Sequence, residues 1–130
     1  MNDNRESTYW EEWFDIAHKD FSRVSTRLAE GDIEDAAFHL QQALEKGLKG
    51  FLLARGWELK RIHNLQVLLN DAVRDDSSLA SFRALCQQVN GYYLLERYPG
   101  LGSLPEREEI GAILPQAKDF LRKLGMTLDE

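Results

Sequence analysis

The stretch Ala37–Leu52, AFHLQQALEKGLKGFL, decides the fold class. Taken with the residues just before it, its apolar and small side chains fall at Ile33, Ala36, Ala37, Leu40, Ala43, Leu44, Gly47, Phe51 and Leu52. Steps of three and four place these on one stripe of an α-helix. Asp32 stands where an N-cap accepts from backbone amides, and Gly56 stands where a helix ends. The small residues Ala36, Ala37, Ala43 and Gly47 let a neighbouring helix come close. The other side carries Gln41, Gln42, Glu45, Lys46 and Lys49, with Glu45 and Lys49 an i,i+4 pair in the favourable order. Polar residues at this spacing ordinarily form a solvated face whose ion pairs contribute about 0.3 kcal/mol each.

Working outward, the same period recurs. Trp10, Trp13, Phe14, Ala17, Phe21, Val24 and Leu28 form an apolar stripe upstream, with Thr8 and Glu11 spaced as a capping box and Gly31 as the C′ residue. Downstream, the basic segment Trp57–His63 leads to a short helix from about Asn64 to Val73, faced by Leu65, Leu68, Leu69 and Ala72. Asp75–Ser78 is a polar break. Leu79, Phe82, Leu85, Cys86, Val89, Tyr92 and Tyr93 then mark a fourth helix, which Pro99 and Gly100 stop near Tyr98. Pro99–Pro105 is a loop, and Ser103 and Glu106 are cap candidates for a last helix. Pro115 inside that helix implies a kink or a fresh start. There is no alternating apolar run and no internal repeat. The expected class is therefore all-α, an up-down antiparallel four-helix bundle with an additional C-terminal helix, in one domain over 1–130.

Composition narrows the function classes. Hydrophobic residues make up 43%, which fits a folded globular chain. The one cysteine, Cys86, leaves no intrachain disulfide and suits a reducing, cytoplasmic setting. No apolar run approaches the roughly 20 residues that span a bilayer, so no membrane partner is expected, and Met1–Glu6 is too polar for a signal peptide. A net charge of −6 argues against a chain held on nucleic acid by bulk charge. The charge is uneven, however. Lys46, Lys49, Arg55, Lys60 and Arg61 stand against Glu45 and Glu58, a local surplus of three. Such a cluster is ordinarily a set of solvated helix ends. Its functional alternative is a small anion-facing patch.

Three segments, in order, resemble the HEPN family (higher-eukaryote and prokaryote nucleotide-binding domains): Ala37–Leu52, then His63-Asn64-Leu65 with Leu68-Leu69, then Tyr93-Leu-Leu-Glu-Arg97-Tyr98-Pro99. The resemblance implies that the polar face of the second helix adds to a cleft near a homodimer interface. On it, Lys46, Lys49, His63, Arg97 and Tyr98 become the candidate ligand-binding residues. Each has an ordinary structural role as well. Histidine at a helix start often caps or fills a gap. An arginine in the last turn favours the helix dipole, although its planar fork also suits phosphate.

Catalytic members of the family resemble one another in an Arg-x4–6-His motif associated with metal-independent RNA cleavage, in which a base takes the 2′-hydroxyl proton and a cation steadies the phosphorane. Here Arg97 is followed at the histidine positions by Gly102, Ser103 and Leu104, and no histidine occurs after His63. Catalysis loses most of its support, leaving Arg97 as the one residue with a catalytic counterpart. The sequence is similar to the short stand-alone HEPN chains paired with minimal nucleotidyltransferases in toxin–antitoxin-type modules. That similarity implies a binding module, a nucleotidyltransferase partner, and a nucleotide or RNA as ligand. The alternatives are a ribonuclease with a nonstandard base and a non-catalytic helical scaffold. His18 and His39 have no paired metal-ligand spacing, and no phosphate loop or zinc pattern is present, so neither metal nor cofactor is expected.

Overall fold

Two glycines and two asparagine-type caps set the limits of the central helices. Gly31 takes φ +81° and turns the chain, and Asp32 then accepts from the Asp35 amide at 3.2 Å to start α2 (Ile33–Ala54). Gly56, at φ +86°, closes that helix. Both conformations are left-handed, where a Cβ is penalised. Asn64 accepts from the Gln66 and Val67 amides at 2.9 and 3.2 Å and starts α3 (Leu65–Asp75). The computed structural model describes residues 9–97 and 104–128, with side chains of 93–97 excepted. Within these, α1 spans Trp10–Ala29, a 3₁₀ turn spans Ser77–Phe82, α4 spans Arg83–Arg97 and α5 spans Arg107–Lys123. The expected all-α class is what is observed, with α5 as the added C-terminal helix.

Helix α2 is the axis of the molecule. Ala36, Leu40, Ala43, Leu44, Leu48, Phe51 and Leu52 are all at most 1% exposed. The other helices close around it. Helix α1 lies antiparallel and close: Phe14 carbons stand 2.5 and 2.6 Å from where a Cβ on Gly50 would be. The hairpin is tied at its polar edge by His39 Nδ1 with Asp20 at 2.8 Å and by Arg27 donating to Asp35 at 2.7 Å. On another side, Leu121 of α5 stands 2.8 Å from a Cβ built on Gly47. Small residues at these crossings are what allow three helices to share one axis.

The connection 55–64 does more than link α2 to α3. Gly56 reverses the chain, and the segment runs back along α2 until the His63 carbonyl accepts from Gln41 at 3.3 Å. Helix α3 therefore starts beside the middle of α2 and runs in the same direction, so that Asp71 meets Trp57 Nε1 at 3.3 Å near the end of α2. The expected up-down alternation is interrupted at this one step, because the connection itself makes the return run. Helix α4 returns antiparallel to α3: Arg83 donates to Asn70 at 2.8 Å, and the Asn90 side chain accepts from the Leu65 amide at 2.9 Å. Helix α5 then returns against α4, with Tyr92 donating to Glu109 at 2.5 Å and Phe82 4.8 Å from Phe120.

Several local expectations change. Helix α1 takes Tyr9 as its N-cap with no side-chain cap bond; Thr8 of the expected capping box lies outside the described residues. Glu106 is the N-cap of α5, again without a side-chain bond, and Ser103 lies outside the described residues. Pro115 neither ends nor restarts α5, which runs through it. The ring is exposed, so the site bears only the loss of one backbone bond.

Candidate functional site

The polar row on α2 is not a solvated face. Gln41, Glu45 and Lys49, spaced by four, are each 0% exposed. This corrects the sequence-based expectation. Trp13 of α1 covers the row from one side, with Lys46 and Lys49 ammonium groups each 5.3 Å from its ring centre. The returning segment ending at His63 covers it from another. Burying these groups is tolerable only because each has a partner.

Glu45 is the hub. Lys49 Nζ reaches Glu45 Oε2 at 3.1 Å, Lys46 Nζ is 3.7 Å away, and Gln41 donates to Oε1 at 3.2 Å. His63 Nδ1 lies 3.1 Å from Oε2 and 3.3 Å from Oε1. Burial pushes the Glu45 carboxyl up, but Lys49 and Lys46, with the bonds from Lys49 and Gln41, outweigh it and hold the group below its ordinary value. Glu45 is thus an anion and accepts only, so His63 Nδ1 must be the donor. In the neutral ring that makes Nε2 the acceptor nitrogen.

The backbone fixes where this imidazole stands. His63 immediately precedes the N-cap Asn64, its carbonyl is bonded by Gln41, and the next amide but one is held by Asn90 of α4. Its side chain is 47% exposed, while that of Glu45 is 0% exposed. A buried anion therefore holds the Nδ1 edge of an imidazole at the surface, with the partly exposed Lys46 at its side.

The structure brings Lys46, Lys49 and His63 together around one carboxylate. Lys49 lies beneath the surface and holds Glu45, whereas Lys46 and His63 form the outer rim. Arg97 is the last residue of α4, seven residues beyond Asn90 and hence on nearly the same helix face, about 10 Å further along. The Arg97 side chain and Tyr98 lie outside the described residues. Glu45 and Trp13 were missed as site residues. The i,i+4 spacing of Gln41, Glu45 and Lys49 was a usable signal, but nothing local distinguished a covered polar row from a wet one.

A family model of the HEPN domain matches residues 10–126, most of the chain. The chain belongs to the HEPN domain family. The crystal structure of an archaeal HEPN homologue is similar over 89% of this chain and 94% of that one, with a TM-score of 0.71 and 24% sequence identity. At that identity the likeness is one of fold. Among proteins with curated descriptions, none matches. In this HEPN chain the family fold thus carries a buried Glu45–Lys49 pair on its central helix and a histidine standing on it. Among the described residues no helix is long and apolar enough to cross a membrane.

Proposed function

We propose that this HEPN chain is a non-catalytic binding module that receives an anionic group, a nucleotide or RNA phosphate, at the rim formed by His63 and Lys46. The HEPN resemblance adds Arg97 and Tyr98 to the candidate ligand-binding residues, and Lys49 supports the rim from beneath by holding Glu45. The module acts as a cytoplasmic homodimer with a minimal nucleotidyltransferase as partner, in a toxin–antitoxin-type pair. The observation that carries the binding site is the half-exposed His63 bonded through Nδ1 to a buried, ionised Glu45. Keeping an ion pair dry beneath a surface imidazole has a desolvation cost, and orienting that ring for a ligand gives the cost a use.

Titration calorimetry with ATP, GTP and a short RNA tests the binding. Wild type is expected to bind at least one of them, with His63→Ala, Lys46→Ala and Arg97→Ala each weakening it. Binding unaffected by all three substitutions would overturn the site. Co-purification with a nucleotidyltransferase encoded beside the gene tests the partner, and light scattering tests the homodimer.

A metal-independent ribonuclease is the second reading, and the same pair favours it. A carboxylate that accepts from Nδ1–H of an imidazole selects the tautomer in which Nε2 carries no proton, the form a general base needs. Arg97 would then steady the phosphorane. RNA cleavage in EDTA by wild type, lost in both His63→Ala and Arg97→Ala, would favour the enzyme; equal cleavage by all three proteins would remove it.

A further inference from the structure

The basic stretch between Lys46 and Arg61 divides in the fold. Lys46 and Lys49 turn to Glu45. Arg55 and Lys60 go to the far end of α2, ten residues and about 15 Å along the axis from Glu45. There they meet Arg74 of α3 around a cavity of about 280 Å³, whose remaining walls include Trp57, Asp71 and Asp75. Among the described residues none of these three cations has a carboxylate within 4.0 Å. Arg55 instead lies 3.6 Å above the Phe51 ring and donates to the Phe51 carbonyl at 3.2 Å, which fixes its guanidinium in place. The Lys60 ammonium is 6.0 Å from the Trp57 ring centre. Trp57 is itself anchored, half-buried against the core and bonded through Nε1 to Asp71 at 3.3 Å.

The geometry points to a second ligand site, separate from the His63 rim, in which this cavity takes one nucleotide unit with its phosphate on Arg55, Lys60 and Arg74 and its base against Trp57. The mixed lining is what selects the ligand. A bare phosphate would meet three cations but also Asp71 and Asp75. A nucleotide carries the same phosphate together with ribose hydroxyls and ring amines that donate to carboxylates, and a flat face that stacks on an indole. Arginine supplies the planar fork for phosphate, and a base on an aromatic ring adds affinity whatever the base. The volume is just under the range of ligand cavities, about 300 to 1,000 Å³, so it takes one nucleotide with part of it outside and has no room for two. The same chemistry is presented by a free nucleoside monophosphate and by the phosphorylated end of an RNA strand.

The test uses the whole chain and tryptophan fluorescence, titrated with AMP and GMP, with inorganic phosphate, with adenosine, and with a short RNA carrying either a 5′-phosphate or a 5′-hydroxyl. The expected result is saturable quenching by the monophosphates, with phosphate and adenosine each at least about tenfold weaker. Lys60→Glu with Arg74→Glu, both exposed positions, is expected to weaken AMP about tenfold or more with an unchanged thermal melt. Trp57→Ala, which removes the reporter and is therefore read by titration calorimetry, is expected to weaken it roughly five- to hundredfold. The saturable component that the Lys60/Arg74 double variant removes is expected to persist in His63→Ala, whatever that substitution does to nucleotide bound at the first site, which separates the two. Tighter binding of the 5′-phosphorylated RNA than of the monophosphates assigns the cavity to RNA ends, and the reverse assigns it to free nucleotides. No saturable monophosphate binding, equal binding of inorganic phosphate, or a Lys60/Arg74 variant that binds as wild type would overturn the proposal.

Discussion

Replacing Glu45 with Leu should be among the costliest single changes on α2, and costlier than replacing its partner Lys49 with Met. Both side chains are 0% exposed, so neither is rescued by water. Without Glu45, the Lys49 ammonium keeps, among the described residues, only the Trp13 ring, 5.3 Å from its nitrogen. An uncompensated buried charge of this kind costs about 3–5 kcal/mol. Without Lys49, the carboxylate still has His63 at 3.1 Å, Gln41 at 3.2 Å and Lys46 at 3.7 Å. That loss should be nearer about 2 kcal/mol. For a chain of this size each kcal/mol moves the melting temperature by about 3–5 °C, so Glu45→Leu should lower it by roughly 10–25 °C. The double variant removes both charges, should lie within about 2 kcal/mol of wild type, and should show a coupling of at least about 2 kcal/mol. Urea unfolding followed by circular dichroism measures all four proteins. Acid adds a check of sign. The Glu45 carboxyl is held below its ordinary value near 4.5, so its contribution is present above that pH and lost as pH falls through the lower, folded-state value. Glu45→Gln should flatten that loss. Single variants within about 0.5 kcal/mol of wild type and additive in the double would refute the buried pair.

The other predictions concern helix crossings and buried groups. Gly50→Ala should destabilise by about 1–2 kcal/mol, because a Cβ there meets Phe14 carbons at 2.5 and 2.6 Å, whereas Gly111→Ala, with nothing within 4 Å, should stabilise by about 0.5–1 kcal/mol; thermal melts of the two read the contrast. Cys86 is 0% exposed and its thiol is pushed up to about 12 by burial, with Arg83 a smaller opposing influence. Thiol-reagent labelling near neutral pH should therefore be slow until denaturant is added, and rapid labelling of the native chain would contradict its place in the core. Tyr92→Phe should cost about 1–2 kcal/mol by removing the donor to Glu109. Because burial and Glu109 raise the phenol above its ordinary 10.0, that difference should be complete below this pH and shrink as pH rises past it, as urea melts across alkaline pH would record.

The limits of α2 were legible because their causes are local. Asp32 needs only the amide of Asp35, and Gly31 and Gly56 need only their own backbone angles. The fold class followed from the apolar period for the same reason. Two features at the site were not local. Gln41, Glu45 and Lys49 have the spacing of a wet face, and what dries them is Trp13, more than thirty residues away from Lys49, together with a segment that folds back after Gly56. The return course of 55–64 was equally hidden, since a basic loop of that length is compatible with a simple reversal. It is set by the Gln41 bond to the His63 carbonyl and by Asn90 on the Leu65 amide, both long-range. The resemblance to HEPN chains named His63 and Lys46, and the fold supplied the reason that they stand together. The basic patch was visible as a surplus of charge, but its division into two sites depends on Arg74, which belongs to another helix.

The most direct measurement is the nitrogen spectrum of His63, which reports which ring nitrogen carries the proton in the neutral form. Long-range proton–nitrogen correlation at mildly alkaline pH should show the Nδ1–H tautomer in wild type, because Glu45 accepts there. In Glu45→Leu the preference should disappear, and ligand added to wild type should shift Nε2 more than Nδ1. An Nε2–H ring in wild type, or a spectrum indifferent to the loss of Glu45, would mean that no buried carboxylate holds this histidine at the surface, and the binding site built on it would have no foundation.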